Sequence, residues 1–252
     1  MSQGPTNPTW DQCTEPHSDL TPGNCAILFT MFIGSTPKDK MYNDVLNYYI
    51  NELKIPKDNV FIVDSGNRWW NSKLLHNDHS LVYEQDYIDR LGKLEYKVDK
   101  IEYITKGELL SIKLSNKFFD FSKFDYVFKV TGKYKIPSLK NLLYYRTPVP
   151  RTIHSVEDYI KHSTKMHNHI CGPDLILQSV MNDQNKPRCE IIGFNTKRIE
   201  GLLLLLELTD GYNMETKLMQ IKKNKSLKID YLPKMENIAT YKRSDDSLLK
   251  VL

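Results

Sequence analysis

The stretch FDYVFKVTGKYKIP (Phe124–Pro137) joins the pattern of a buried strand to a polar end. Apolar and other side chains alternate through its first half at the two-residue period of a pleated strand. The apolar run then stops at TGKY (131–134), and Lys129 lies two residues before the threonine. A core strand that ends in a hydroxyl, a glycine, a cation and a phenol raises the hypothesis of a binding site there.

Strand and helix signals alternate on the amino-terminal side of this stretch. CAILFTMFIG (25–34) is a continuous apolar run, as expected of a strand that is covered on both faces. Residues 42–53 carry the apolar stripe of an amphipathic helix, and NVFIVDSGN (59–67) predicts a strand and a turn. Because this β-α-β unit needs a crossover, we expect its two strands to be parallel neighbours.

The next region completes the first half of the pattern. We predict a short strand around Lys100–Ile104, then a loop and a helix in which Leu110, Leu114 and Phe118 recur four residues apart. The order β-α-β-β-α-β favours an α/β fold, a Rossmann-type, mainly parallel sheet flanked by helices.

The carboxy-terminal half has a looser pattern. Residues 152–181 predict two helical pieces around a break at Gly172-Pro173, and RCEIIGF (188–194) predicts a strand. Residues 200–208 predict a buried helix or strand, and residues 214–221 predict a helix. With no internal repeat and no linker, we expect one domain over residues 25–252, divided into a nucleotide-binding half (25–137) and an acceptor-side half (138–252).

Composition limits the classes of function. The chain has 252 residues, 40% of them hydrophobic and 26% charged, as in soluble globular proteins. A net charge of +4 gives little support for nucleic-acid binding but suits a partner with a few phosphates. Residues 1–24 lack the basic start and apolar core of a signal peptide and predict a poorly ordered leader.

Two further patterns bear on the location of the protein. The four cysteines (13, 25, 171 and 189) show no CxxC spacing, which indicates free thiols of a reducing, cytoplasmic compartment. The longest aliphatic run, GLLLLLEL (201–208), is far shorter than the roughly 20 residues of a membrane span.

Residues suited to a nucleotide follow several predicted strands. Ligands of a parallel sheet bind beyond the carboxyl ends of its strands. Asp64 and Ser65 can hydrogen-bond a ribose or a base, and Lys106 precedes a predicted helix start that would favour phosphate. Lys129 and Lys133 flank a glycine through which the backbone can approach a ligand closely.

Each of these signals also has a structural interpretation. DSGN is a common turn, TKGE can be a helix start in which Glu108 suits the first turn, and TGKY can be a hairpin turn with a solvated lysine. No GxxxxGK[ST] or GxGxxG motif occurs, so an ATPase or a dinucleotide oxidoreductase is not expected. Function is favoured because the signals recur at the ends of successive predicted strands.

The succession VDSGN, KGELLSI, FKVTGKY, RCEIIGF and YNMETKL resembles a family of GT-A-type glycosyltransferases found in bacteria and in large DNA viruses. The resemblance covers residues 25–225. It implies a GT-A-like fold, a nucleotide-diphosphate sugar as donor, and transfer of the sugar to a hydroxyl of a glycan or glycoprotein acceptor. The nucleotide-sugar site predicted on this basis comprises Thr30, Asp64, Ser65, Lys106, Glu108, Lys129, Thr131, Gly132, Lys133 and Tyr134.

The metal and acid–base chemistry is less determined. Many GT-A enzymes hold a divalent metal with an Asp-x-Asp motif, which this chain lacks, so we predict no metal ligands and expect lysine ammonium groups to offset the diphosphate charge. Mn²⁺ or Mg²⁺ stays open as a cofactor. His162, His167 and His169 match no zinc spacing and are interpreted as exposed. The candidate catalytic carboxylates are Asp174, Glu190 and Glu215.

Two other functions stay open from the residues. The chain could be a non-catalytic α/β module that binds a nucleotide or a glycan. A nucleotidyltransferase is a third hypothesis, although it normally needs metal-binding carboxylates that the sequence does not reveal.

Overall fold

The computed structural model describes ten segments of the chain: residues 25–31, 36–66, 74–75, 77–82, 100–144, 173–178, 188–223, 226–232, 238–241 and 248–251. The predicted leader lies outside them, as do Cys13, Cys171 and the three histidines at 162, 167 and 169.

A seven-stranded sheet forms the centre of the structure, in the order β3-β2-β1-β4-β7-β6-β8. All of its strands except β7 run in the same direction, so the prediction of a mainly parallel α/β sheet is confirmed. The strands are β1 (Cys25–Met31), β2 (Val60–Asp64), β3 (Ser80–Val82), β4 (Tyr126–Thr131), β6 (Leu175–Gln178), β7 (Ile191–Asn195) and β8 (Ile229–Leu232).

Two strands of the predicted β-α-β unit are parallel neighbours, as expected. β1 pairs with β2 in a register that puts Ile27 opposite Val60 and Met31 opposite Asp64. β4 pairs with the other edge of β1, so the carboxyl ends of β2, β1 and β4 lie side by side.

A second, three-stranded antiparallel sheet has the order β10-β9-β5. It contains β5 (Tyr134–Lys135), β9 (Ile238–Tyr241) and β10 (Leu248–Val251). β5 follows β4 after a two-residue turn but pairs with β9. The TGKY segment therefore connects two sheets and is not the turn of a β4–β5 hairpin.

Four α-helices flank the sheets in the described residues: α1 (Thr36–Asn47), α2 (Lys100–Phe118), α3 (Ile199–Leu208) and α4 (Met214–Ile221). α1 continues directly into a π-helical turn, Tyr48–Glu52. Short 3₁₀ turns occur at Lys57–Asn59, Asn77–His79 and Pro137–Tyr144. None of the described helices is long and apolar enough to cross a bilayer.

Alternate residues of the central strands fill two separate cores. Phe128 and Val130 of β4 pack with α1 on one face of the sheet. Val127, next to them in the chain, packs with α2, α3 and α4 on the other face. Full burial of a side chain the size of Phe128 stabilises the fold by about 1.5–3 kcal/mol relative to leaving it in water.

Three predicted elements are corrected by the structure. Lys100–Ile104 is the first turn and more of α2, not a strand, and the predicted loop at Thr105–Glu108 lies inside the same helix. Residues after Pro173, predicted as helical, form strand β6. Apolar runs of four or five residues fit either period, so only their neighbours in three dimensions decide between helix and strand.

The aliphatic run at 201–208, predicted as a buried helix or strand, is a helix. It belongs to α3, but it is buried on one face only: Leu202, Leu203 and Leu206 enter the core, whereas Leu204 and Leu208 are exposed.

Candidate functional site

The carboxyl ends of β1, β2 and β4 are joined by direct backbone contacts. The Ser65 amide donates to the Met31 oxygen at 3.1 Å, and the Gly132 amide donates to the Thr30 oxygen at 2.9 Å. Four of the predicted site residues (Thr30, Asp64, Ser65 and Gly132) therefore lie at one edge of the sheet, as the parallel topology requires.

Gly132 is required at this edge because β1 approaches it closely. A Cβ atom at this position would lie 2.8 Å from Met31 Cγ and 3.2 Å from the Thr30 oxygen. A larger residue would require the Met31 side chain to move and would crowd the backbone of β1. The glycine predicted to give a ligand access to the backbone thus serves the packing of two strands.

Asp64 and Ser65 form a turn at the end of β2. Asp64 is fully buried, and its Oδ1 accepts a hydrogen bond from the Gly66 amide at 2.9 Å. The Ser65 hydroxyl donates to the Met31 oxygen at 3.3 Å. These contacts match the turn interpretation of DSGN, and the nucleoside contact stays a prediction.

Lys129 is fully buried beneath α2, and oxygen atoms surround its ammonium group. Lys129 Nζ donates to Thr131 Oγ1 at 3.0 Å and to the Cys189 backbone oxygen at 2.8 Å. It also forms an ion pair with the Glu108 carboxylate. Three chain segments (β4, α2 and the start of β7) are therefore held together by one cation.

The charge of this lysine is maintained by its partners. Burial acts to lower the pKa of the Lys129 ammonium, but its charge interaction and hydrogen bond with Glu108, together with Cys189 and then Glu190, outweigh burial and the pKa is raised. Since the side chain has no exposed surface, the hypothesis that it holds a diphosphate in a cleft does not match the geometry. The contacts of Lys129 are with other segments of the chain, which it holds together.

Glu190 lies directly beside the end of β4. Its backbone oxygen accepts a hydrogen bond from the Thr131 amide at 2.9 Å. Its side chain is 21% exposed, and Oε1 lies 3.8 Å from Arg188 Nη1. Oε2 is buried and has no hydrogen-bond partner among the described residues.

Glu215 joins the same cluster through a cysteine. The Cys189 thiol donates to Glu215 Oε1 at 3.1 Å, and Glu215 lies in the first turn of α4. Burial, followed by the negative charge of Glu108, raises the pKa of the Cys189 thiol well above its ordinary value. The thiol therefore stays protonated and acts as a hydrogen-bond donor.

Lys133 and Tyr134 continue the chain beyond this edge. Both are partly exposed, and Lys133 Nζ lies 4.9 Å from the centre of the Tyr134 ring, in cation–π range. Lys106 lies within α2, not ahead of it, and its side chain is outside the described residues. The predicted helix start at 106–107 is therefore wrong, because α2 begins at Lys100, and the phosphate contact of Lys106 stays a prediction.

Asp174 lies at the opposite edge of the sheet. It precedes β6, which runs in the same direction as β4, so it is at the amino end of the strands. Its Oδ2 accepts from the Lys228 amide at 2.8 Å, and its Oδ1 lies 3.1 Å from Arg198 Nη1. The structure does not bring this carboxylate together with Glu190 and Glu215.

A cavity of about 690 Å³ also lies at this opposite edge, between the end of α2 and the start of α3. Its lining includes Phe119, Arg198 and Leu202. No residue of the predicted nucleotide-sugar site lines it, so the cavity does not identify that site.

Sequence reasoning missed two contributors to the predicted site. The backbone oxygen of Cys189 accepts a hydrogen bond from Lys129, and its thiol donates one to Glu215. In the sequence, the position of Cys189 directly before Glu190 is the feature that indicates its place in the site. Tyr49, which the sequence places only in the apolar stripe of residues 42–53, donates a hydrogen bond to the backbone oxygen of Tyr134, directly after Lys133. Among the described residues, no group of three or more metal-ligating side chains is placed to hold a metal ion.

Comparisons with known proteins identify no family: no family model matches the chain, and no curated protein matches it. Among solved structures, the chain is similar to a candidate nucleotide-diphospho-sugar transferase from Desulfovibrio desulfuricans G20, with 8% identity, 84% of this chain and 80% of that chain covered, and a TM-score of 0.39.

Two more solved structures are similar at the same level. One is a glycosyltransferase involved in the glycosylation of the major capsid of PBCV-1, with 5% identity, coverage of 82% and 80%, and a TM-score of 0.40. The other is 4-diphosphocytidyl-2C-methyl-D-erythritol synthase from Anaerococcus prevotii DSM 20548, with 11% identity, coverage of 83% and 89%, and a TM-score of 0.34. All three TM-scores are below 0.5.

Proposed function

We propose that the protein is a glycosyltransferase that moves a sugar from a nucleotide-diphosphate donor to a hydroxyl of a glycan or glycoprotein acceptor. The observation that supports this proposal is the position of Glu190. Its partly exposed side chain lies beside the carboxyl end of β4, where an open parallel sheet binds ligands. It has a buried oxygen without a hydrogen-bond partner in the described part of the chain.

In the proposed reaction, Glu190 takes the proton of the acceptor hydroxyl. The hydroxyl oxygen then bonds to the anomeric carbon of the sugar, and the bond from that carbon to the diphosphate breaks. Lys133, partly exposed just beyond Gly132, is the cation assigned to the charge of the leaving diphosphate. Lys129 does not touch the donor; it holds Glu108, Thr131 and the Cys189 oxygen in place.

The test is a panel of nucleotide-diphosphate sugars, each incubated with the purified chain while free sugar and free nucleotide diphosphate are measured. We expect slow hydrolysis of one donor, and faster release when a glycan acceptor is added. Parallel reactions with a chelator and with added Mn²⁺ measure any metal requirement. Absence of turnover with every donor, by a chain that is folded by circular dichroism, would contradict a transferase.

A non-catalytic nucleotide- or glycan-binding module is the second candidate. The complete burial of Lys129 favours it, because one of the three lysines predicted to offset the diphosphate charge (Lys106, Lys129 and Lys133) has no surface to contact a ligand. A module would be stabilised against heat by its ligand, by an amount set by concentration and affinity, without releasing any product. The same donor panel, read by thermal unfolding, separates the two functions.

A further inference from the structure

The outward sides of α2 and α3 form one apolar surface. Among the described residues, six large hydrophobic side chains are exposed, and four of them lie on these two helices: Leu110 (39%), Phe118 (58%), Leu204 (53%) and Leu208 (75%). An ion pair between Lys113 Nζ and Glu207 Oε1, 2.8 Å apart, joins the helices between them. Apolar side chains that cluster on a surface mark an interaction site more reliably than scattered ones.

We define the α2–α3 face by its exposed or half-exposed residues: Leu110, Lys113, Leu114, Lys117, Phe118, Glu200, Gly201, Leu204, Glu207 and Leu208. The leucines at 110 and 114 and Phe118 were expected to mark the stripe of this helix. The core instead receives Leu109 and Ile112, so the repeating apolar residues of α2 face outward.

The charges of this face are separated by helix. From residue 107 onward, the charged residues on the outward side of α2 are the cations Lys113 and Lys117, since Glu108 turns inward to Lys129. The charged residues of α3 are the anions Glu200 and Glu207. The face therefore has a basic half and an acidic half with apolar side chains among them, and it is complementary to itself.

Gly201 adds a further observation. It lies within α3 on the exposed side, and a Cβ atom built on it would meet nothing within 4 Å. Glycine inside a helix is unfavourable relative to alanine, and no contact within the described chain requires it here. A residue without a side chain does allow a second surface to approach the helix closely.

We propose that the α2–α3 face binds a second copy of this chain about a two-fold axis. In that arrangement α2 of each copy lies against α3 of the other, so the basic half meets the acidic half twice. A two-fold interface uses the same patch on both subunits, which is the property that a self-complementary face provides. A partner with a strong charge of one sign would be attracted by two of the four charged side chains of this face and repelled by the other two.

Charge reversal tests this proposal without reference to the enzymatic function. Sedimentation of the wild-type chain over a range from low to high micromolar concentration should show a monomer–dimer equilibrium. Lys113→Glu makes position 113 repel Glu207, and Glu207→Lys makes position 207 repel Lys113, both in the other copy and within the chain, where the two residues form an ion pair. We expect each variant alone to dimerise at least 10-fold more weakly than the wild type. Mixing the two variants should restore association, because every facing pair is then of opposite charge. Mixing does not relieve the repulsion within a chain, so recovery in the mixture reports contact between copies.

One control and one further variant complete the experiment. Lys40→Glu, an exposed charge on α1 at the other face of the sheet, should dimerise like the wild type. Leu208→Ser, at the most exposed apolar residue, should weaken dimerisation while the circular dichroism spectrum is unchanged. A wild-type chain that is monomeric at every concentration overturns the proposal, and so does a mixture of the charge variants that associates no better than either variant alone.

Discussion

The hydroxyl of Tyr49 donates a hydrogen bond to the backbone oxygen of Tyr134 at 2.5 Å. The same hydroxyl accepts one from the Ile136 amide at 2.9 Å, and the Tyr49 ring stacks on Phe29 with centroids 4.9 Å apart. Tyr49 lies in the π-helical turn after α1, an irregularity often found near functional sites. One side chain thus fixes the segment that follows Gly132 to the core that lies between the sheet and α1.

We expect Tyr49→Phe to lower the free energy of unfolding by about 1–3 kcal/mol, because a buried carbonyl and a buried amide lose their partner. The ring and its stacking on Phe29 are retained. Urea unfolding measures the change. The adjacent Tyr48→Phe is the matched control, since Tyr48 is only partly buried, and it should stay within about 0.5 kcal/mol of the wild type. Equal effects of the two variants would contradict the bridging role.

The strands of the parallel core were predictable because their apolar runs are bounded by turn residues and separated by a clear helix stripe. The role of Lys129 was not. Its position at the end of a strand suggested a cation for a ligand, but its partner Glu108 comes from a helix whose start the sequence placed too late. Which side chain of α2 reaches β4 depends on the register of that helix against the sheet, which no local pattern contains.

The same reasoning explains the outcome for the carboxylates. Glu190 lies at the carboxyl end of β4 because β7 runs antiparallel to β4 and begins where β4 ends. Glu215, on α4, reaches the same end through its hydrogen bond from the Cys189 thiol. Asp174 precedes a strand parallel to β4 and is therefore at the other edge. Strand direction, which a single sequence does not reveal for a short apolar run, separates the three residues.

The buried pair of Lys129 and Glu108 should behave as a unit in stability measurements. Lys129→Met leaves the Glu108 carboxylate without its cation and should cost about 3–5 kcal/mol. The double variant Lys129→Met/Glu108→Leu removes both charges and should cost less than the single variant, because replacing a buried ion pair by apolar groups is often close to neutral.

Urea unfolding of the two single variants and the double variant gives the coupling energy between the residues. Lys57→Met, at an exposed lysine, should change stability by less than about 0.5 kcal/mol. Additive effects of the two substitutions would contradict a direct interaction between Lys129 and Glu108.

Cys25 gives a prediction for alkaline pH. Burial of its thiol, and then the negative charge of Asp125, raise its pKa from 9.0 to about 12. Below pH 9 the thiol is protonated in the folded and unfolded states alike, and its contribution to stability is fully present. Above pH 9 the unfolded chain loses the proton first, so stability is lost as the pH rises toward 12.

Cys25→Ala should therefore reduce the fall of unfolding free energy with pH by up to about 1.4 kcal/mol per pH unit above pH 9. The measurement is a series of urea unfolding curves between about pH 7.5 and about pH 10.5, a window that begins below the ionisation of the unfolded thiol and ends below that of the folded one, with the slope compared between variant and wild type. Parallel slopes would show that this thiol does not titrate on unfolding.

Two glycines should respond in opposite directions to the same change. Gly201→Ala should raise the free energy of unfolding by about 0.5–1 kcal/mol, because alanine favours the helix and its Cβ meets nothing within 4 Å. Gly193→Ala should lower it, since a Cβ at Gly193 would lie 2.7 Å from Phe128 Cε1 and 2.9 Å from Ile176 Cβ. Unfolding at a protein concentration below any dimerisation separates these effects from self-association.

Glu190→Gln tests the proposed chemistry most directly. The amide keeps the shape of the carboxylate but cannot accept the proton of an acceptor hydroxyl, so we expect kcat for transfer to fall by about 10²–10⁴-fold. The dissociation constant of the sugar nucleotide, measured by calorimetry, should change by less than threefold, because no donor contact is assigned to this side chain. Asp174→Asn, at the opposite edge of the sheet, should transfer at the wild-type rate if it folds. Transfer by Glu190→Gln at the wild-type rate would remove Glu190 from the mechanism and leave Glu215 as the carboxylate to test.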